Sequence, residues 1–177
     1  MHRIPDIDRQ ITQLLKPVPA IAAAIQMPVI CGLEDEAAIE RDTSFPGLYR
    51  IDVSTAGHHG DLVQWFASFK ADWECDSAKG GKSSALIKKR LLQHRALQEW
   101  MPVYVGKSRN VAGRVASHIH LPFSSSTYGL KLRARPGLAL RAFRLHAIEL
   151  KAVNYDVLAP ALESALRERF HPLVGRQ

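Results

Sequence analysis

Apolar residues recur every three or four positions in several parts of the chain, which is the period of an amphipathic helix. The clearest case runs from Asp156 to Phe170, where apolar side chains are four residues apart and Pro172 follows. Asp61 and Asn110 are suited to cap two further helices. The pattern predicts helices over residues 6–26, bent or divided by Pro17 and Pro19, and over 62–69, 83–100, 111–119 and 156–170.

Three shorter segments are typical of β-strands. The first, Leu48 to Val53, follows the turn-forming pair Pro46 and Gly47, and its apolar and polar side chains alternate imperfectly. The other two strands are predicted at residues 102–106 and 143–150. The acidic stretch from residue 34 to 42 is predicted to lead into a loop. Helices and strands in one chain of 177 residues indicate a single α/β domain with embellishments.

Positive charge is concentrated in one part of the chain. The formal net charge is +7, yet residues 77–148 hold 14 Lys or Arg side chains and only one acid, Glu99. A surface that binds a polyanion gathers cations in this way, because displaced counterions drive the association. Nucleic acid is therefore the expected partner, and a solvated basic face is the alternative. The candidate nucleic-acid-binding residues are Lys82, Lys88, Lys89, Arg90, Arg109, Lys131, Arg133 and Arg135.

Membrane, secretory and disulfide classes are not favoured. Prolines interrupt the longest uncharged stretch near the N-terminus, and a membrane span needs roughly 20 predominantly apolar residues. The first ten residues mix acids with a proline, unlike a secretory signal, so we expect a cytoplasmic protein. Cys31 and Cys75 have no partnered spacing and are interpreted as reduced thiols.

Three segments together resemble the signatures of the GIY-YIG nucleases. They are GLYRI at residues 47–51, VYVGKSRNVAGRVASH at residues 103–118 and LESALRERFHPLVG at residues 162–175, in that order. The resemblance implies a small, mainly antiparallel three-stranded sheet flanked by helices, within a nuclease domain over residues 46–177. Residues 1–45 are then a helical N-terminal extension. The two signature tyrosines are 55 positions apart, so residues 55–99 are expected to be a basic helical insertion that contacts substrate.

The resemblance implies a metal-dependent endonuclease that hydrolyses DNA, of the restriction or phage-defence type. Glu163 matches the glutamate that holds one divalent cation, Mg²⁺ or Mn²⁺, and hard oxygen ligation suits both ions. Arg114 offers a planar, permanently charged group to the phosphate. Lys107 is expected to clamp phosphate or to stabilise a phenolate.

The general base is left open between two residues. A free phenol has a pKa near ~10, so Tyr49 or Tyr104 needs a neighbouring cation to accept the proton of water at neutral pH. Tyr49 matches the tyrosine usually assigned this role, and His118, one helical turn beyond Arg114, is the alternative. The chain departs from the family at Gly175, where an asparagine often stands.

Two other functions remain open. A non-catalytic DNA-binding module would need the basic surface but neither Tyr49 nor Glu163. A ribonuclease or toxin could use the same chemistry on RNA, since no residue pattern visibly reads a 2′-hydroxyl. One active site cuts one strand at a time, so a double-strand break requires a homodimer or successive nicks.

Overall fold

The computed structural model describes residues 3–74 and 84–175. The chain forms seven α-helices and six strands within these ranges. In chain order they are α1 (Ile4–Leu15), α2 (Val18–Ala24), β1 (Val29–Gly32), α3 (Glu36–Thr43), β2 (Gly47–Ser54), α4 (Leu62–Trp73), β3 (Ala85–Leu86), α5 (Lys88–Leu91), β4 (Trp100–Ser108), α6 (Val111–His120), β5 (Phe143–Glu149), α7 (Tyr155–Phe170) and β6 (Val174–Gly175).

The central sheet has four antiparallel strands in the order β1-β5-β2-β4. The three strands predicted from sequence are β2, β4 and β5, so the expected mainly antiparallel sheet is confirmed and its size is corrected. The additional strand, β1, comes from the N-terminal segment and pairs with β5. The N-terminal extension over residues 1–45 was expected to be helical, but it also contains β1, which forms one edge of the central sheet. A separate pair, β3 and β6, forms a second small sheet.

Helices cover both faces of the central sheet. Because side chains alternate across a strand, Tyr49 and Ile51 project to one face and Leu48 to the other. The first face belongs to a core built with apolar side chains of α4 and α6. The second face packs against α7 and α2, as Leu48 and Val105 join Leu162 in a smaller cluster. The sheet thus separates two layers of helices.

The helices of the N-terminal segment can be compared with those that the sequence pattern predicts. The predicted 6–26 helix is divided at Pro17 into α1 and α2, as its prolines indicate. The acidic stretch over residues 34–42, predicted to lead into a loop, lies mostly in α3, which Asp35 caps by accepting a hydrogen bond from the Ala38 N–H. The chain leaves this helix at Ser44, ahead of β2. Ala38 and Ile39 form the buried face of that helix.

The prediction of a long helix from Ser83 or Ser84 to Trp100 is wrong over the described residues 84–100. Leu86 pairs with Val174 in the small sheet, and the Ile87 N–H donates to the Leu173 carbonyl. These long-range hydrogen bonds override local helix propensity and leave only the single turn α5. Because α4 contributes Trp65 and Trp73 to the main core, this helix of the 55–99 segment is integrated into the domain.

None of the helices in the described part of the chain combines the length and apolar character that a bilayer crossing requires.

Candidate active site

A hydrogen bond between a tyrosine and a histidine lies at the centre of the candidate site. Tyr49, on β2, and His118, on α6, are fully buried, and Tyr49 Oη lies 2.8 Å from His118 Nε2. Asn110 begins α6 by accepting a hydrogen bond from the Gly113 N–H, which orients the helix that carries His118. The two residues belong to different signatures of the sequence, 69 positions apart.

The second nitrogen of His118 determines the direction of this hydrogen bond. The backbone N–H of Leu130 donates to His118 Nδ1 across 3.0 Å. Burial, and then the charge of Arg114, lower the pKa of His118 to about 3, so the imidazole is neutral near pH 7. A neutral ring that accepts at Nδ1 carries its proton at Nε2. His118 therefore donates its Nε2–H to Tyr49 Oη.

The phenol of Tyr49 is subject to opposing influences. Burial raises the pKa of Tyr49 well above its ordinary value, and the phenol of Tyr104 and the carboxylate of Glu163 also raise it. The guanidinium of Arg114 opposes them through its charge and a hydrogen bond. In the protein alone Tyr49 is therefore a neutral phenol at neutral pH, with two donors, His118 and Arg114, placed to stabilise its anion.

Two glycines allow the close packing of this region. A Cβ atom at Gly106, opposite Tyr49 in the sheet, would lie 2.5 Å from Tyr49 Oη and 2.7 Å from Tyr104 Cε1. A Cβ atom at Gly47 would lie 2.2 Å from the Ile148 carbonyl oxygen. A side chain at Gly47 or at Gly106 would therefore collide with its neighbours, so both positions require glycine.

Tyr104, on β4, completes an aromatic cluster. Its ring centroid lies 5.9 Å from that of Tyr49 and 4.7 Å from that of His118. Tyr104 is half-buried, whereas Tyr49 is fully enclosed. Solvent thus reaches the cluster from the Tyr104 side.

Glu163 reaches the same region from α7. The hydroxyl of Tyr155 donates to the Gly47 carbonyl oxygen across 3.3 Å, which ties the start of α7 to the start of β2. Burial raises the pKa of Glu163, while the positive charges of Arg167, Lys107 and Arg114 lower it in part. The six predicted catalytic residues are therefore close enough for contact or direct electrostatic interaction: Tyr49, Tyr104, Lys107, Arg114, His118 and Glu163.

The carboxylate of Glu163 has the features of a single protein ligand for a hard cation. Its side chain is only 14% exposed, and its closest ion-pair partner, Arg167 Nη2, lies 3.8 Å away. Within residues 3–74 and 84–175 it receives no side-chain hydrogen bond, and no group of three or more His, Cys, Asp or Glu side chains is arranged as a metal site. A bound Mg²⁺ would therefore keep most of its ligands as water.

No family model, curated protein or solved structure was found to match this chain. What the cluster does is therefore inferred from its residues.

The predicted nucleic-acid-binding residues are distributed between surface and interior. Lys88 and Lys89 are exposed on α5, Arg133 and Arg109 are exposed but paired with Glu36 and Asp156, and Arg90 binds the Arg167 carbonyl. Lys82 lies outside the described residues.

Lys131 and Arg135 do not face solvent. The ammonium of Lys131 donates to the carbonyls of Phe123 and Ser125, and Arg135 donates to the carbonyls of Leu130 and Trp73. As placed, both cations organise the loop before β5, so the expectation that they contact phosphate is corrected.

Sequence reasoning missed a charged network on the opposite face of β2. The buried carboxylate of Asp52 contacts Arg50, Arg144 and His146, with His146 Nε2 at 2.9 Å. The available signal was the pair of charged residues within an otherwise apolar strand.

Proposed function

We propose that this protein is a metal-dependent endonuclease that hydrolyses phosphodiester bonds of DNA. The observation that carries the proposal is the convergence of Tyr49, His118, Arg114 and Glu163, which lie far apart in the sequence, in one region. Phosphodiester hydrolysis needs a proton acceptor for water, positive charge at the phosphoryl oxygens and a carboxylate that holds a cation. The cluster offers each of these groups.

Tyr49 is the residue best equipped to accept the proton of the attacking water. Among the tyrosine oxygens of the cluster, within the described structure, that of Tyr49 receives side-chain hydrogen bonds, from His118 Nε2–H and from Arg114, which also adds its charge. Both interactions favour the phenolate over the neutral phenol. Since burial keeps the resting phenol neutral, Tyr49 must first release its own proton to solvent, which requires additional positive charge or hydration when substrate binds. The phenolate then accepts the proton of the attacking water.

His118 supports Tyr49 and does not itself meet the water. Its two nitrogens are both engaged, Nε2 by Tyr49 Oη and Nδ1 by the Leu130 N–H. A pKa of about 3 also makes the imidazole a weak base. We therefore propose Tyr49, and not His118, as the general base.

Arg114 is assigned to the phosphate. Its half-buried guanidinium lies beside Tyr49 and is close enough to Glu163 to lower the pKa of that carboxyl. A planar group with five N–H donors can donate to Tyr49 and retain donors for phosphoryl oxygens. The arginine thus links the proton acceptor with the charge that develops in the transition state.

Glu163 would hold the divalent cation. When bound, Mg²⁺ supplies Lewis acidity at the phosphoryl oxygen. Burial raises the pKa of Glu163, and the positive charges of Arg167, Lys107 and Arg114 oppose this and favour the ionised carboxylate, the form that binds a cation.

Parallel digestion of supercoiled plasmid and a structured RNA tests the proposal. The purified protein is incubated with each substrate in MgCl₂, and in EDTA as the control. We expect nicked or linear plasmid in MgCl₂ only. Binding of plasmid without cleavage would support a non-catalytic DNA-binding module instead, and cleavage of RNA alone would identify a ribonuclease.

A further inference from the structure

An arginine-rich pocket lies on the other face of the central sheet, away from the Tyr49 cluster. Tyr49 and Arg50 are neighbours on β2, so their side chains project to opposite faces. The Arg50 side opens into a pocket of about 580 Å³ beside the C-terminal end of α7, lined by Arg50, Asp52, Arg144 and Phe170 among others. This volume is in the range of small-molecule sites, roughly 300–1,000 Å³.

The pocket carries a marked excess of positive charge. Four arginines, Arg50, Arg95, Arg144 and Arg169, line it together with a single carboxylate, Asp52. The four arginines and Asp52 together give the lining a formal charge of +3. Such an excess at a concave surface, where low-dielectric walls focus the field, favours an anionic ligand.

Asp52 holds two of the arginines in place. Its side chain is 2% exposed, and it contacts Arg50 Nε at 2.8 Å and Arg144 Nη2 at 3.2 Å. Burial raises the pKa of Asp52, but hydrogen bonds from His146 and Arg50 outweigh burial and hold that pKa below its usual value. The carboxylate thus remains ionised and fixes the orientation of both guanidinium groups.

The aromatic residues of the pocket restrict the arginines further. The guanidinium of Arg144 lies 4.2 Å from the ring centroid of Trp100, and that of Arg50 lies 4.3 Å from Phe170. Stacking of this kind leaves the edge of a guanidinium free for hydrogen bonds. The arrangement is preorganised before any ligand arrives.

Donor groups in the pocket remain available for a ligand. Within residues 3–74 and 84–175, the Nη1 atoms of Arg50 and Arg144 make no protein hydrogen bond, and exposed Arg95 has no ion-pair partner. Arg169 is anchored through Nη1 to the carbonyls of Ala22 and Ile25. The pocket therefore presents several fixed or accessible N–H donors and one carboxylate that is already neutralised.

We propose that this pocket binds a phosphate group, carried either by a free nucleotide or by the backbone of a nucleic acid. Convergent guanidinium groups match the tetrahedral array of phosphate oxygens through paired charge-assisted hydrogen bonds. The site is separate from the Tyr49 cluster: Glu163 and Phe170 are seven residues apart on α7, about 10 Å along the helix. Phosphate binding here does not depend on nuclease activity.

Calorimetric titration with pyrophosphate and dAMP, in EDTA and low salt, tests the free-ligand source. Salt-dependent binding of a 30-bp duplex tests the polymer source. The variants are Arg95→Gln, which removes an exposed charge, and Gln98→Glu, which adds a carboxylate to the pocket wall without changing side-chain size. Arg141→Gln, an exposed arginine that does not line the pocket, is the matched control. Thermal melts verify that all variants fold.

We expect both pocket variants to weaken binding roughly tenfold, and the control to leave it unchanged. Weakened dAMP and pyrophosphate binding supports a nucleotide ligand. A change confined to the duplex, with the salt slope reduced by about one for Arg95→Gln, supports a backbone phosphate. If both pocket variants match Arg141→Gln with every ligand, the proposal is overturned.

Discussion

His118 Nε2 lies 2.8 Å from Tyr49 Oη in the interior of the domain, and the Leu130 N–H occupies the other nitrogen of the same ring. The histidine is therefore a neutral donor to the phenol. In the proposed nuclease, Tyr49 would transfer the proton and His118 would position Tyr49, and both roles can be tested.

Tyr49→Phe removes the proposed proton acceptor and keeps the ring. We expect plasmid cleavage to fall by roughly 10²- to 10⁴-fold, the usual contribution of general-base catalysis, while DNA affinity measured in EDTA stays unchanged. Tyr104→Phe is the matched comparison, because its ring contacts the same cluster and we expect a smaller loss. A larger loss for Tyr104→Phe would reverse the assignment of the two phenols.

His118 makes stability depend on pH in the acidic range. Its pKa is about 3 in the folded protein and near 6.5 in the unfolded chain. Above pH 6.5 both states are neutral and the full stability is present; below it the unfolded chain binds the proton first, so stability falls as the pH decreases towards 3. We expect this residue to contribute a slope of up to about 1.4 kcal/mol per pH unit.

Urea denaturation between pH 4 and 8 measures that slope. His118→Gln should be less stable than the wild type at pH 7 and should show a flatter pH dependence below 6.5. Parallel curves for the two proteins would contradict a buried, neutral His118.

Gly106→Ala tests the steric link between the two signature tyrosines. The added Cβ atom would lie 2.5 Å from Tyr49 Oη, so the phenol must move away from its hydrogen bond. We expect cleavage to be lost and stability in urea to fall by about 1–3 kcal/mol. Gly113→Ala on α6 is the control, since its Cβ meets no atom closer than 3.5 Å; wild-type behaviour of Gly106→Ala would refute the steric role.

Two further variants should distinguish residues that act in catalysis from residues that only attract DNA by their charge. Arg114→Ala removes charge beside Tyr49, and we expect turnover to fall roughly 10²- to 10³-fold with little change in DNA affinity. Lys88→Ala combined with Lys89→Ala removes two exposed cations of α5 and should reduce the salt slope of DNA binding by about two. Equal losses of affinity in both proteins would show that this division of roles is mistaken.

Local sequence pattern predicted the elements that carry their own signals. Helix α4 is capped by Asp61 and helix α6 by Asn110, and β2 begins directly after Pro46, as expected. The pattern failed where distant partners decide the structure. Strand β1 depends on pairing with β5, and Leu86 lies in a strand because Val174 is available to it.

The candidate site, too, was predictable from the sequence only where local spacing determines it. The spacing of Arg114 and His118 on one helix could be predicted from sequence, but the hydrogen bond from the Leu130 N–H, which sets the tautomer of His118, could not. The burial of Lys131 and Arg135 was equally hidden, because a basic residue in sequence is normally interpreted as solvent-exposed. Electrostatic patterns along a chain identify a charge excess and leave its spatial distribution open.

The most direct test of the nuclease proposal compares Glu163→Gln with Glu168→Gln in plasmid cleavage with MgCl₂. Both substitutions remove one carboxylate from α7, but Glu168 is exposed and pairs with Arg90, whereas Glu163 is largely buried and close enough to Arg114 and Lys107 for their charges to lower its pKa. We predict that Glu163→Gln abolishes nicking and that Glu168→Gln cleaves like the wild type. Nicking that survives in Glu163→Gln would contradict the proposed cation site and, with it, the catalytic role of the cluster.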